Sequence, residues 1–314
     1  MNLTKILLIL LPVLVTIGIS VYLLFFVKKN IIGYTPRKLL IYYGWPSAIN
    51  GSNGDISKAL EHYEYYDDIV FGATLEETSH GDHENTKEII TKLNEKGKRV
   101  FGYISANDFS GGAPEVDFKI LRWSKFDITG LLVDEFGLDF EFMSRSRQNQ
   151  ILDTMREYNL IPIMNAWDPN DIFLEVEGVC ANVKPGDIYL SESFMITEGQ
   201  PQNPSLTNSK AVKLIELQKQ FDFEIFAVTT DSPFTSWDQK EYDLAYNTVG
   251  ILGYNSIGWG EYDFGSGTSI INTRKPSQEL SFKGLSSFNW PEISRETDKG
   301  KLTVNTDNRS YSFD

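Results

Sequence analysis

The feature that most constrains this chain is a regular alternation of short apolar runs with helical patterns, which begins at Lys38. Eight such units follow one another, and together they suit a barrel of about 250 residues. Alternating strands and helices indicate a parallel sheet. The runs are nearly continuously apolar, which is typical of strands buried on both faces. We therefore predict a (β/α)8 TIM barrel rather than an open doubly wound sheet.

The bounds of these elements come from apolar periodicity and from end signals such as Ser144, a good helix N-cap residue. The predicted strands are 39–44, 68–73, 99–105, 130–134, 161–165, 187–191, 224–229 and 256–260. The predicted helices are 56–66, 84–96, 115–125, 144–158, 171–175, 209–221 and 239–252.

Several classes of function lose support at once. No GxGxxG loop follows the first strand and no GxxxxGK[ST] motif occurs, which argues against dinucleotide and P-loop NTP binding. The formal net charge is -14, so no nucleic acid is expected as a partner. Cys180 is the one cysteine, which excludes an intramolecular disulfide framework and a multi-cysteine metal site.

An uncharged, mostly apolar run covers residues 6–27 and is long enough to span a bilayer as a helix. We interpret residues 1–30 as a single-pass transmembrane signal anchor, with a cleaved signal peptide as the alternative. The lysines and arginines that follow this run favour a cytoplasmic domain by the positive-inside rule. A polysaccharide-degrading domain needs the opposite side. We follow the functional argument and expect the domain to be extracellular, at the cell membrane.

The rest of the chain divides into three predicted parts. Residues 31–37 form a linker, and residues 38–262 form the catalytic barrel. Residues 263–314 form a polar C-terminal extension, in which 301–304 and 309–313 are predicted to pair as a hairpin.

Functional residues of such barrels lie at the carboxyl ends of the strands. Most of the predicted strands deliver a carboxylate, an amide or an aromatic ring to this rim. The acidic candidates at the ends of strands four and six are Asp134, Glu135 and Glu192. The candidates for substrate binding are Tyr43, Trp45, Tyr103, Asn165, Trp167, Asp231, Trp259 and Glu261.

Carboxylates combined with aromatic rings favour sugar chemistry. Glycosidic cleavage needs one carboxyl group as a proton donor and a second as nucleophile or base. Asp134 and Glu192 are the leading pair, because they end strands two places apart and neighbouring strands are about 4.8 Å apart. Adjacent strand residues face opposite sides, so only one of Asp134 and Glu135 is expected to point cleanly into the mouth. Glu135 would then lie behind Asp134, or exchange roles with it where the strand bends away. The retaining and inverting spacings remain open.

His80 and His83 lie in one polar loop with Asp82 and could bind a metal, but such a loop is more often surface. We predict no metal and no cofactor. The sequence also lacks a GxSxG elbow.

Five stretches together resemble the spherulin-4-like and endo-α-1,4-polygalactosaminidase glycoside hydrolases. They are Tyr42-Tyr-Gly-Trp-Pro, Asp67-Asp-Ile-Val-Phe-Gly, Val100-Phe-Gly-Tyr-Ile-Ser, Gly130-Leu-Leu-Val-Asp-Glu-Phe-Gly and Tyr189-Leu-Ser-Glu-Ser. The resemblance covers most of residues 38–262. It implies a (β/α)8 barrel that acts on galactosamine-containing exopolysaccharide, with Asp134, Glu135 and Glu192 as its acidic catalytic residues.

The main hypothesis is thus a membrane-anchored glycosidase that cleaves galactosamine or N-acetylgalactosamine polymers. The alternative is an inactive carbohydrate-binding or structural barrel at the cell surface. A third possibility, suggested by the charges around the apolar run, is a cytoplasmic domain of unrelated activity.

Overall fold

The computed structural model describes residues 33–314 apart from 73, 111–112 and 235–237. These residues form two compact units. One is Pro36–Ser277, and the other combines residues 33–35 with Gln278–Asp314. The predicted anchor at residues 6–27 lies outside the described residues. Within the part that is described, no helix combines the length and the apolarity needed to cross a membrane.

The larger unit is a closed barrel of eight parallel strands, each paired with its neighbours in chain order. The barrel closes where the last strand pairs with the first, with Ser256 opposite Arg37. This confirms the predicted (β/α)8 barrel. The strands are β1 Arg37–Tyr42, β2 Asp68–Phe71, β3 Arg99–Ser105, β4 Gly130–Asp134, β5 Ile161–Asn165, β6 Ile188–Ser191, β7 Glu224–Thr230 and β8 Ser256–Gly260.

Helices follow the strands, and short polar caps define their ends. Ser144 accepts a hydrogen bond from the Arg147 N–H, as predicted for an N-cap residue. The sixth helix starts five residues before its predicted start at Ser209, because Asn203 caps it and Pro204 opens its first turn. The helices are α1 Ile56–Tyr63, α2 His83–Glu95, α3 Val116–Trp123, α4 Arg145–Glu157, α5 Asn170–Phe173, α6 Pro204–Phe221 and α7 Gln239–Leu252.

Side chains from all the strands except β8 fill the barrel interior. The buried cluster contains Leu39, Ile41, Val70, Phe101, Leu132, Ile163, Ile188, Leu190, Phe226 and Val228. Strands β2 and β6 are buried along their whole length. Because helices cover the outer face and this cluster fills the inner one, the strands read as continuous apolar runs. The filled interior leaves the two ends of the barrel as the places for polar groups.

A charged network crosses the amino-terminal end of the barrel. Asp68 is fully buried and accepts hydrogen bonds from the guanidinium groups of Arg37 and Arg99. Arg99 also donates to both carboxylate oxygens of Glu224 on β7, at 3.2 and 3.0 Å. The network joins β1, β2, β3 and β7, so it fastens strands that are distant in the chain.

Strand β1 ends at Tyr42, two residues before its predicted end. Beyond it, the Tyr43 N–H donates to the Phe264 carbonyl instead of continuing the strand ladder. Phe264 lies in a short 3-10 helix, Tyr262–Gly265, that directly follows β8. This contact brings the segment after β8 over the carboxyl end of the barrel. The barrel unit therefore extends to Ser277, past the predicted limit at residue 262.

The smaller unit contains an antiparallel sheet of four strands, β9 Phe282–Asn289, β10 Glu292–Thr297, β11 Gly300–Asn305 and β12 Ser310–Phe313. Phe282, Ile293, Leu302 and Val304 are fully buried in it. Tyr34 pairs with Phe282, which ties the residues before the barrel to this sheet. Strands β11 and β12 pair across the segment for which a hairpin is predicted.

Candidate active site

Asp134 and Glu192 meet at the carboxyl end of the barrel through a shared amide. Asn165, at the end of β5, donates from Nδ2 to Asp134 Oδ1 at 2.9 Å and to Glu192 Oε2 at 2.7 Å. Since both bonds start at one nitrogen, the two oxygens lie no farther apart than the two bond lengths combined, about 5.6 Å. Retaining glycosidases hold their carboxyl groups about 5–5.5 Å apart, and inverting ones about 6.5–9.5 Å apart.

Asp134 is surrounded by hydrogen-bond donors. The Tyr103 hydroxyl donates to Oδ2 at 3.0 Å, and the Glu135 N–H donates to Oδ1 at 2.8 Å, in addition to Asn165. All three donors are neutral, so they bind the carboxylate without an ion pair. Such bonds fix the direction of the carboxylate oxygens.

Glu192 has the opposite environment. Burial, and then the negative charge of Asp134, raise the pKa of its carboxyl group, while the Asn165 hydrogen bond and the Lys210 ammonium lower it. The balance is a raised pKa, which keeps a proton on Glu192 at higher pH. A carboxyl group with a raised pKa next to a hydrogen-bonded carboxylate is the usual arrangement of an acid and a nucleophile.

Glu135 departs from the alternation expected of strand residues. Strand β4 ends at Asp134, and Glu135 has a left-handed backbone with φ of 54°. Because the chain turns there, Asp134 and Glu135 both line the mouth, and the expectation that only one of them points into it does not hold. Glu135 accepts a hydrogen bond from the Ser105 hydroxyl at the end of β3.

Two cavities meet at the carboxylate pair, and both are lined by Asp134, Asn165 and Glu192. The inner cavity is about 410 Å³ and has Tyr43, Tyr103, Asp263 and Phe264 among its walls. The middle cavity is about 310 Å³ and has Glu135, Asp139, Trp167 and Lys210 among its walls.

A third, outer cavity of about 170 Å³ shares Trp167 and Lys210 with the middle one. The three cavities are therefore neighbours that share wall residues, and we call them together the groove; the acid pair lines its inner and middle parts.

The predicted aromatic residues divide between this groove and other positions. Tyr43 packs against Tyr103 and Phe264 in the inner cavity, with ring centroids 4.8 and 5.1 Å apart. Trp167 is 63% exposed and lines both the middle and the outer cavity. The structure thus brings Tyr43, Tyr103 and Trp167 to the groove.

The other four candidates do not line these three cavities. Trp45 packs edge-on against His80, and Trp259, only 7% exposed, donates from Nε1 to Asp231 at 3.2 Å. Glu261 accepts from the Asn272 N–H and pairs with Arg274, which holds the segment after β8 in place.

Several residues of the groove carry no sequence prediction. Asp263 and Phe264 lie beyond the predicted barrel limit, although they directly follow the end of β8, where the rim argument applies. Lys210 lies in a helix, and helix patterns carry no signal for a lysine that faces a groove. Its position near the start of α6, whose preceding strand is β6, is the one available hint.

His80 and His83 are used in the fold. The His83 ring nitrogen Nδ1 lies 2.9 Å from the Leu75 carbonyl, and His80 Nδ1 accepts from the Asp82 N–H at 3.1 Å. Across the described residues, no group of three or more His, Cys, Asp or Glu side chains is placed to hold a metal ion.

Comparisons with known proteins identify no family for this chain. No family model matches it, and no curated protein matches it. Among solved structures it is similar to a noncanonic maltogenic α-amylase, AmyB, from Thermotoga neapolitana, at 12% identity, a TM-score of 0.48 and 85% of each chain. It is also similar to 7,8-dihydropteroate synthase from Vibrio fischeri ES114, at 12% identity and a TM-score of 0.41, over 75% of this chain and 90% of that one.

Proposed function

We propose that this protein is a retaining glycoside hydrolase in which Asp134 is the nucleophile and Glu192 is the general acid and base. The observation that carries the proposal is the pair of carboxyl groups joined by the Asn165 amide, whose bridged oxygens are within about 5.6 Å. That spacing fits the retaining geometry.

The roles follow from the two environments. Three neutral donors hold Asp134 with its oxygens as acceptors, which suits an anionic nucleophile. Burial and the Asp134 charge raise the pKa of Glu192, which suits the donor to the leaving oxygen.

The reaction would proceed in two displacements. An Asp134 oxygen attacks the anomeric carbon as its bond to the glycosidic oxygen breaks, and that oxygen takes the proton of Glu192. Glu192, now a carboxylate, then removes a proton from water, whose oxygen attacks the same carbon and releases Asp134. Both residues regain their starting charge, and the anomeric configuration is retained.

For the substrate, we infer a galactosamine-containing polymer. Asp134, Glu192 and Asp263 line the inner cavity, and its described walls carry no lysine or arginine. A cavity of this charge suits a sugar that carries an ammonium group, because opposite charges attract strongly at short range in a partly buried site. The resemblance in sequence to polygalactosaminidases agrees with this, and an open groove on both sides of the acid pair suits cleavage within a chain.

We also propose that the barrel acts outside the cell, held at the membrane by residues 6–27, where a polysaccharide is accessible. Protease treatment of intact cells tests the side. Cleavage of the barrel only after permeabilisation would contradict this placement.

The experiment for the activity is incubation of the full-length protein with α-1,4-linked galactosamine polymer, with released reducing ends as the readout. We expect release from this polymer, no release from starch, and retained configuration by NMR of the first product. Glu192→Gln, matched with the surface control Glu198→Gln, should lose the activity while the control keeps it. Full activity of Glu192→Gln, or binding of the polymer without any release, would contradict the proposal.

A further inference from the structure

The charge of the lining side chains changes along the groove. Its inner and middle parts are lined by Asp134, Glu135, Asp139, Glu192 and Asp263, whereas its outer part is lined by Trp167, Asp168, Lys210 and Lys213. A polymer that occupied the whole groove would thus meet carboxylates at one end and ammonium groups at the other.

Two of the three outer charges pair with each other. Asp168 accepts from Lys213 Nζ at 2.9 Å and from the Asn170 N–H at 2.9 Å, so this carboxylate is already paired. Lys210 has no hydrogen-bond acceptor or ion-pair partner among the described residues. Its Nζ lies 5.3 Å from the centre of the Trp167 ring and 5.5 Å from that of Tyr189.

The ammonium of Lys210 stays largely charged at neutral pH. Burial lowers its pKa to about 8, against the opposing effect of the Glu192 and Asp168 charges. Its contacts are aromatic faces, which attract a cation but accept no conventional hydrogen bond. A partly buried ammonium with three donors and no acceptor favours a ligand that supplies an oxygen.

We propose that Lys210 and Trp167 form an outer sugar-binding subsite that accepts an N-acetylated amino sugar and rejects one with a free ammonium group. The acetamido carbonyl accepts a hydrogen bond from Lys210 Nζ, and the sugar ring lies on the exposed indole. A free ammonium at this place would face a like charge with Asp168 already neutralised. This inference rests on the proposed function, since it assigns the place where one N-acetylated unit of a partially acetylated substrate binds.

The position of the subsite relative to the cut follows from the roles of the acids. Both acids line both cavities, but Asp134 is bonded to Tyr103, which lines the inner and not the middle cavity. Glu192 feels the charge of Lys210, which lines the middle and not the inner cavity. The nucleophile therefore faces the inner cavity, and the proton donor, which lies next to the leaving-group oxygen, faces the middle one. The middle cavity then holds the first unit on the leaving-group side, and the outer cavity holds the second. In the product, this second unit is one place in from the new non-reducing end.

The test is digestion of a partially N-acetylated α-1,4-galactosaminan by the full-length protein, followed by sequencing of the products by mass spectrometry. We expect N-acetyl groups at the second unit from the new non-reducing end to be enriched about tenfold over the polymer average. This factor corresponds to the free energy of one hydrogen bond to a charged group. Lys210→Met should abolish this enrichment, and Lys210→Arg should keep it. Lys219→Met, at an exposed position of the same helix, should behave as the wild type.

The outcomes separate the two proposals. Cleavage without enrichment at that unit, or enrichment that survives in Lys210→Met, overturns the subsite while the hydrolase assignment stands. Failure of the wild type to cleave overturns the hydrolase assignment. In that case, binding of Glu192→Gln to galactosamine oligomers with and without one N-acetyl group decides the subsite: tighter binding of the acetylated oligomer that Lys210→Met removes supports it, and equal binding overturns it.

Discussion

Charged side chains cluster at both ends of the barrel, but they form ion pairs at one end and bind neutral donors at the other. At the amino-terminal end, the buried Asp68 is paired with two guanidinium groups, those of Arg37 and Arg99. At the carboxyl end, Asp134 and Glu192 make no ion pair among the described residues and are held by neutral donors.

The ion pairs at the first end hold strands together, whereas carboxylates bound only by neutral donors can still interact with a substrate. The first end stabilises the fold and the second can do chemistry.

The largest expected effect is at the carboxyl end. Glu192→Gln removes the transferable proton and should lower kcat by about 10²–10⁴-fold. Asp134→Asn removes the attacking carboxylate and should cost at least as much. Thermal unfolding should change little in either variant, because the amide keeps the size of the acid. Comparable loss of stability and activity would show that the pair is structural, which would erase the difference between the two ends.

The next effect is at the opposite end. Asp68→Ala removes the fully buried carboxylate that pairs with Arg37 and Arg99, and it should lower the free energy of unfolding by about 1.5–3 kcal/mol, since Arg99 keeps Glu224 as a partner. Denaturant unfolding measures this. Glu64→Ala, which breaks an exposed pair with Lys96, is the matched control and should change little. A stability loss in Asp68→Ala no larger than in the control would contradict the role given to this network.

Asn165→Ala tests whether the bridging amide positions both carboxyl groups. It removes two hydrogen bonds to acidic oxygens, and we expect kcat/KM to fall about 10–100-fold, from the usual strength of a hydrogen bond to a charged group. The alkaline limb of the pH profile should move to higher pH, because the Asn165 hydrogen bond that lowers the pKa of Glu192 is lost. An unchanged profile would indicate a role in packing only.

The smallest effect concerns Lys210, the one cation among the described walls of the middle cavity. Activity requires protonated Glu192, so it falls as the pH rises through the pKa of that group. Lys210 lowers this pKa, and Lys210→Met should therefore move the alkaline limb to higher pH. Rates on an unacetylated oligomer across pH measure the shift. A downward shift would mean that Lys210 does not act on Glu192 through its charge.

The sequence predicted the barrel and the rim position of Asp134 and Glu192, and the structure shows both. Apolar runs and caps such as Ser144 are local signals, and parallel strands place their carboxyl ends on one rim. Asp134 and Glu192 follow from that rule alone, because each ends a buried run. The N-terminal apolar run is equally plain in the sequence, and its predicted role as an anchor stays a prediction.

Only the tertiary structure decided what those side chains contact. The amide of Asn165 between the two acids depends on the stagger of β4, β5 and β6, which no single run of sequence encodes. Glu135 enters the mouth because the backbone turns left-handed after β4. Asp263 and Lys210 reach the groove from a segment and a helix whose local patterns look ordinary. Long-range packing sets such distances, and local periodicity carries no information about them.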